Sequence, residues 1–427
     1  MNRIALKRVI CLSATLVVLS ADAAEPEVWS QFRGPTAMGA TSQTGLPLQW
    51  SADENVLWKT DLPGNGTSSP IVFGDQIYVT AYTGYLVPGQ DRGSLEDLRR
   101  HLLALDRATG KLKWDRPVAA KLPEEENIRD HGFAASTPVA DASGVYVFFG
   151  KTGVLAFDHD GNERWRADVG AGTHGWGSGS SLLLHNGLLI VNASVESESL
   201  IALDPRDGSR RWEVDHIREA WNTPVVIQSD SGREELIISR HGDVMAFAPM
   251  TGDSLWTCKT DITWYMVPTA VAADGVVYVL GGRSGVAGLA VRAGGSGDVT
   301  DSHRLWTSTS GTNVPSPIVH DGHLYWVSHD GGIAYCADVQ TGELVYEERL
   351  ERFGQSYASS LLAEGRIYYF DRSGRCAVVA AKPEFELLAT SSLRDGSRFD
   401  ASPIVDQGRL LVRSGNALYC LAKSDGS

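Results

Sequence analysis

The residues with chemical potential in this chain recur at one point of a repeating phrase. Ahead of a series of short apolar segments stand Asn65; His131 and Phe133; His174 and Trp176; Trp221 and Asn222; Trp264 and Tyr265; Asn313; Gln355 and Tyr357; and Arg398 with Asp400. Aromatic faces interleaved with a few convergent polar groups are the make-up of a concave binding site. The competing use of the same side chains is to plug a channel and cap loop backbones. Glu196 and Asn192, further along one unit, are candidates for the same rim. The carboxylates are too scattered to assign as metal ligands, so no metal site is expected. No GxSxG, HExxH or phosphate-loop pattern occurs, so the chemistries those spacings serve have no candidate residues.

The phrase itself sets the architecture. A small polar pair leads into an apolar triplet, a Gly turn and a Tyr/Val-rich run, as in Ser316-Pro317-Ile318-Val319, then His320-Asp321-Gly322, then Leu324-Tyr325-Trp326-Val327. It recurs at Ser69-Pro70, Thr137-Pro138, Ser180-Ser181, Thr223-Pro224, Val267-Pro268, Ser359-Ser360 and Ser402-Pro403. Anchored on position 70, the first interval is 68 residues and the later ones are 43 to 49. A fixed period in the forties marks blades or solenoid turns. Alternation at period two marks strands, and the Asp-Gly and Thr-Gly pairs mark hairpins.

Each unit therefore holds four short strands, the fourth carrying Trp58, Trp114, Trp165, Trp212, Trp256 or Trp306, with Tyr346 and Leu388 in the last two. The Trp58 strand precedes every three-strand group, and the last group has no fourth strand after it. The expected fold is all-β: an eight-bladed β-propeller of four-stranded antiparallel blades, its last blade closed by the N-terminal strand near Trp58. Closure removes exposed sheet edges. The propeller is read over residues 51–427 and an N-terminal extension over 24–50. An insertion over residues 83–100 lengthens the first interval. Ser94, followed three residues later by Asp97, predicts a short capped helix there, lying over the mouth where the pre-strand loops converge.

Composition bounds the partners. The 427 residues are 43% hydrophobic and carry 38 Lys+Arg against 52 Asp+Glu, a formal charge of −14. That much apolar content excludes wholesale disorder. An acidic chain without a basic block is no nucleic-acid or anionic-membrane binder. Arg3, Lys7 and Arg8, an apolar run over residues 9–21 and Ala21-Asp22-Ala23 read as a signal peptide over 1–23, so the protein is expected to be exported, periplasmic or secreted. The run is shorter than the roughly 20 residues a spanning helix needs. Val9-Ile10 before Cys11 are not the small residues of a lipidation site. Cys258, Cys336, Cys376 and Cys420 form no CxxC or adjacent pair and read as small buried hydrophobes. The expected partner is a protein, peptide or glycan, and the chain is expected to be monomeric.

Ala104-Leu105-Asp106-Arg107-Ala108-Thr109-Gly110-Lys111-Leu112-Lys113-Trp114 resembles the tryptophan-docking repeat of quinoprotein dehydrogenases, and Ala202-Leu203-Asp204, Gly208 and Trp212 repeat it. The same repeat is found in the propeller lipoprotein of the outer-membrane β-barrel assembly machinery and in exported proteins called PQQ-like. N-termini of that PQQ-like family often resemble Trp29-Ser30-Gln31-Phe32-Arg33-Gly34-Pro35. The resemblance implies that Trp58, Trp114, Trp165, Trp212, Trp256 and Trp306 dock blades rather than ligands. In the dehydrogenases, pyrroloquinoline quinone (PQQ) lies against an adjacent-Cys disulfide ring with calcium held by carboxylate and Asn groups. This chain lacks the Cys pair and offers only Asp400, Glu196 and Asn222. The expected function is a non-catalytic exported binding or scaffold protein without a cofactor. The alternatives are a PQQ- and calcium-dependent dehydrogenase with a divergent site, and an envelope assembly factor.

Overall fold

A computed structural model describes residues 28–423; the signal-peptide reading lies outside them. Eight sheets, each built on four antiparallel strands and two of them extended by a two-residue parallel strand, form the blades of a closed propeller, and helix among the described residues is confined to single turns. Blade 1 runs Ile71–Phe73, Gln76–Thr83, Arg99–Asp106, Leu112–Ala119 from the channel outwards. Blade 8 has its three inner strands at Ile404–Asp406, Arg409–Arg413 and Ala417–Leu421, and its outer strand is Val56–Asp61 from the other end of the chain. Ring closure is thus a strand pairing, Trp58 opposite Cys420 and Asp61 opposite Ala417. Among the described residues Cys258, Cys336, Cys376 and Cys420 are buried in strands and form no disulfide.

The small polar residue of the repeat has a circumferential role. The amide of Ser69 donates to the Thr137 hydroxyl, Thr137 to Ser181, Ser181 to Thr223, Thr223 to Thr269, Thr269 to Ser316, Ser316 to Ser359, Ser359 to Ser402, and Ser402 back to Ser69, at 2.9 to 3.2 Å. Eight blades share one belt of hydrogen bonds around the channel. The belt corrects the repeat register in two places. The residues equivalent to Pro70 are Leu182 and Ala270, not Ser181 and Pro268, because Ser181 and Thr269 supply the hydroxyls.

Outer-strand tryptophans dock on the next blade's hairpin. A Cβ added to Gly110, Gly161, Gly208, Gly252 or Gly342 would meet the ring of Trp58, Trp114, Trp165, Trp212 or Trp306 at 2.4 to 2.9 Å. The indoles of Trp114, Trp165, Trp212 and Trp306 donate to the carbonyls of His159, Pro205, Pro249 and Val339. Trp256 differs: its indole donates to the buried Glu235 carboxylate at 2.6 Å. Tyr346 packs edge-on against Phe385 instead of on a glycine. Gly208 sits at φ +74°, where a side chain is strained, and its Cβ would lie 2.6 Å from Trp165. Gly208→Ala is expected to cost about 2 kcal/mol, half from backbone strain and half from overpacking, read as a lowered midpoint in urea.

The N-terminal segment crosses the channel. Trp29 and Ser30 carbonyls accept from Val72 and Ala140 on blades 1 and 2, whereas Arg33 donates to Pro317 O (2.6 Å) on blade 6. Strand Ala40–Thr41 then adds in parallel to the inner strand Leu361–Ala363 of blade 7. The segment bonds to Val72, Ala140, Ala272 and Leu362, each within an inner strand and beyond the pre-strand loops, so it spans the end of the channel opposite the mouth. The N-terminal extension is therefore a plug.

The insertion is shorter and less helical than expected. Thr83, Arg99 and Arg100 belong to strands, leaving residues 84–98 with one 3-10 turn, Leu95–Asp97. Ser94 caps it, accepting from the Glu96 amide. The rest of the long first interval lies in the 120–138 link. Tyr85, Val87 and Leu98 of the insertion pack with Tyr82, Phe133 and Ala134, fixing both segments as an outer wall of the mouth.

Candidate functional site

The plug turns the channel into a cup of about 360 Å³, open at the mouth and bordered by Phe32 of the N-terminal segment. All eight belt residues line its wall. Of the sequence-predicted residues, His131, Trp176, Trp221, Tyr265, Asn313, Gln355, Tyr357 and Asp400 also line it.

They form two contrasting sides. On one, Trp221 packs edge-on against Tyr265 at 5.4 Å, Trp176 lies 5.5 Å from the same phenol, and Trp264 lies 5.1 Å from it at the rim. His174 leans on Trp221 at 5.0 Å, outside the cup proper. On the other side Arg372 holds Asp400 through two bonds of 2.8 and 2.9 Å and stacks on Tyr357 at 3.9 Å. Asp130 bridges Arg372 (3.3 Å) and Arg398 (3.4 Å). Burial raises the Asp400 carboxyl, with Arg372 pulling against it. Burial also holds the His131 imidazole below its usual value, so it is neutral at pH 7.

Four predicted residues do other work. Asn222 is buried and clamps loop backbone, donating to Ser239 O (2.6 Å) and Met266 O. Asn192 does the same for Ala220 O and Asn222 O, both 2.9 Å. Buried loop carbonyls need such partners, which is why amide residues recur here. Phe133 is buried under the insertion. Asn65 pairs its backbone with Tyr82 and, with Arg398, lines an adjoining groove of about 870 Å³. Thr67, Arg129, Asp130 and Asp400 border both cup and groove.

Glu196 lies behind the cup. Its carboxylate accepts from the Ser178 hydroxyl, and burial pushes its pKa up to about 7. Beside it are the buried pair Arg100–Glu124 at 2.6 Å and Lys151, which donates to Pro123 O.

Sequence reasoning missed Arg129, Asp130, Arg283, Arg372 and Phe32. Arg283 and Arg372 sit in strand two-to-three connections, which share the mouth with the pre-strand loops, so topology alone would have nominated them. Arg129 and Asp130 precede His131 in the longest link of the ring.

These residues do not fit calcium-bound PQQ. Asp400 is committed to Arg372, Asn222 to backbone carbonyls and Glu196 to a separate buried site. Among the described residues no three His, Cys, Asp or Glu side chains converge as metal ligands.

A family model described as outer membrane protein assembly factor BamB matches residues 40–257 and 99–348. No curated protein matches the sequence. Among solved structures, BamB from Moraxella catarrhalis is similar with TM-score 0.62 and 14% identity over 87% of this chain and 98% of that one. The quinohemoprotein alcohol dehydrogenase from Comamonas testosteroni is similar with TM-score 0.64 and 12% identity over 94% of this chain and 81% of that one. The computationally designed Ika8 protein has TM-score 0.59 and 12% identity over 85% of this chain and 98% of that one. At these identities the likeness is one of fold. No helix among the described residues is long and apolar enough to cross a membrane.

Proposed function

The chain belongs to the PQQ-like propeller family described as outer membrane protein assembly factor BamB, and we propose that it is an exported, non-catalytic binding protein of the cell envelope that holds its ligand in the cup. The observation that carries this reading is the one-ended cup itself. It is stoppered from below, lined on one side by contiguous aromatic faces, and its carboxylates are tied up by guanidiniums rather than poised to move protons. A site of this size and lining suits capture of a small group or a chain end. The family match supports a second reading in which the occupant belongs to a protein being assembled in the envelope.

Two measurements test the proposal. Pure protein given PQQ and calcium is expected to reduce no dye with alcohols or sugars; stoichiometric quinone absorbance with turnover overturns the non-catalytic reading. Immobilised wild type is expected to retain a component of fractionated envelope extract at least tenfold better than Trp221→Ala/Tyr265→Ala of matched folding. Equal retention by the two removes the cup from the function.

A further inference from the structure

The cup's chemistry is directional. Arg129 stacks on Trp176 at 4.6 Å and Arg283 on Trp264 at 5.0 Å, and among the described residues neither guanidinium has a carboxylate within ion-pair distance. Three guanidiniums line the cup against two carboxylates, on a chain whose formal charge is −14. The acidic surface makes this local positive excess a feature of the cup rather than of the whole protein.

The wall adds neutral donors. Every belt hydroxyl already accepts an amide hydrogen, and among the described residues none donates to a protein acceptor, so each keeps its own proton for an occupant. Asn313, 1% exposed and lining the cup, has a side-chain carbonyl with no hydrogen-bond partner. The half-buried Tyr265, with Trp221 packed against it, supplies an aromatic surface for ring C–H groups.

The cup therefore suits an occupant that carries a carboxylate, several acceptor oxygens and an apolar ring face. From this we infer that the cup takes a uronic acid at the end of an acidic glycan, its carboxylate between Arg129 and Arg283, with the following sugars running into the groove that shares Arg129 and Asp130. The inference rests on the cup being the binding site proposed above. A peptide end offers the carboxylate but not a cluster of oxygens matching a ring of hydroxyl donors.

The test is calorimetric titration, backed by tryptophan fluorescence, with uronate oligosaccharides of two to four units, their methyl esters of the same length, and tripeptides with free C-termini. At least one uronate series is expected to bind, with its methyl ester at least tenfold weaker. Arg283→Gln and Arg129→Gln are each expected to weaken the acid about tenfold, in line with loss of one charge-assisted bond, and to weaken the ester by less than about threefold. Raising salt from 50 to 500 mM is expected to weaken the acid alone. Equal binding of acid and ester, or binding of peptides alone, overturns the uronate assignment and leaves the cup standing. Loss of envelope-extract retention in the Trp221→Ala/Tyr265→Ala comparison reports on the cup separately from the uronate panel.

Discussion

A chain that starts at Gly64 is expected to show no cooperative thermal transition. The missing residues hold the outer strand of blade 8, Val56–Asp61, whose Trp58 also docks on the Gly110 hairpin of blade 1. One strand thus completes the last blade and welds it to the first. The plug goes with it, and with the plug the buried Trp29, Leu46 and Trp50, which are 2%, 0% and 3% exposed. Burial of a large apolar side chain is worth about 1.5–3 kcal/mol, so these three residues alone approach the roughly 5–15 kcal/mol that holds most domains folded. Removing them also leaves the inner partner Ala417–Leu421 as an open, apolar edge, which invites aggregation.

A chain starting at Ser51 separates the two roles. It keeps the closing strand and loses the plug, and it is expected to melt cooperatively at a lower temperature. Calorimetry of both chains against the full protein decides. If the Gly64 chain melts where the full protein does, the ring is not held by its N-terminal strand.

The ring was legible because each blade repeats its own punctuation. Thr109-Gly110 before Trp114 and Asp207-Gly208 before Trp212 mark hairpin and docking residue within a few positions of each other, and the odd strand at Trp58 signals closure. The register slipped at Ser181 and Thr269, where no Pro follows the belt hydroxyl. The hydrogen bonds that define the register join different blades, and no spacing within a blade reveals them. The plug was illegible for a related reason: residues 28–41 follow no repeat, and their hydrogen-bond partners are spread over blades 1, 2, 5, 6 and 7.

The site divides in the same way. Aromatic residues such as Trp221 and Tyr265 were found because loop position fixes which end of the ring they reach. Asn222 and Asn192 were misassigned as ligand groups, since a sequence does not say whether an amide faces a cavity or satisfies a buried carbonyl. Arg372 went unnoticed because its partner Asp400 arrives from the next blade's loop.

Replacing Glu196 by Gln is expected to stabilise the protein above neutral pH and to flatten its pH dependence. Burial raises this carboxyl from the ordinary 4.5 to about 7; the nearby Glu124 carboxylate adds to the shift, while Arg100 and the Ser178 hydroxyl oppose it. The folded state therefore binds this proton more tightly than the unfolded one. Glu196 contributes fully below about pH 4.5, loses that contribution as pH rises towards 7, and above 7 leaves a buried charge. A shift of this size corresponds to roughly 3 kcal/mol between the two limits. Glutamine keeps the shape and hydrogen bond without the charge, so urea melts of variant and wild type should nearly coincide at pH 4.5 and diverge by about that amount at pH 8. The consequence reaches the cup, because the Glu196 carbonyl accepts from the Ala171 and Gly172 amides and so anchors the link that carries His174 and Trp176. Trp176 fluorescence in the wild type is expected to change with a midpoint near pH 7, and in the Gln variant to stay level. Parallel urea melts at both pH values, with the fluorescence transition intact in the variant, would show that Lys151 and Arg100 compensate the charge and that Glu196 does not govern this wall of the cup.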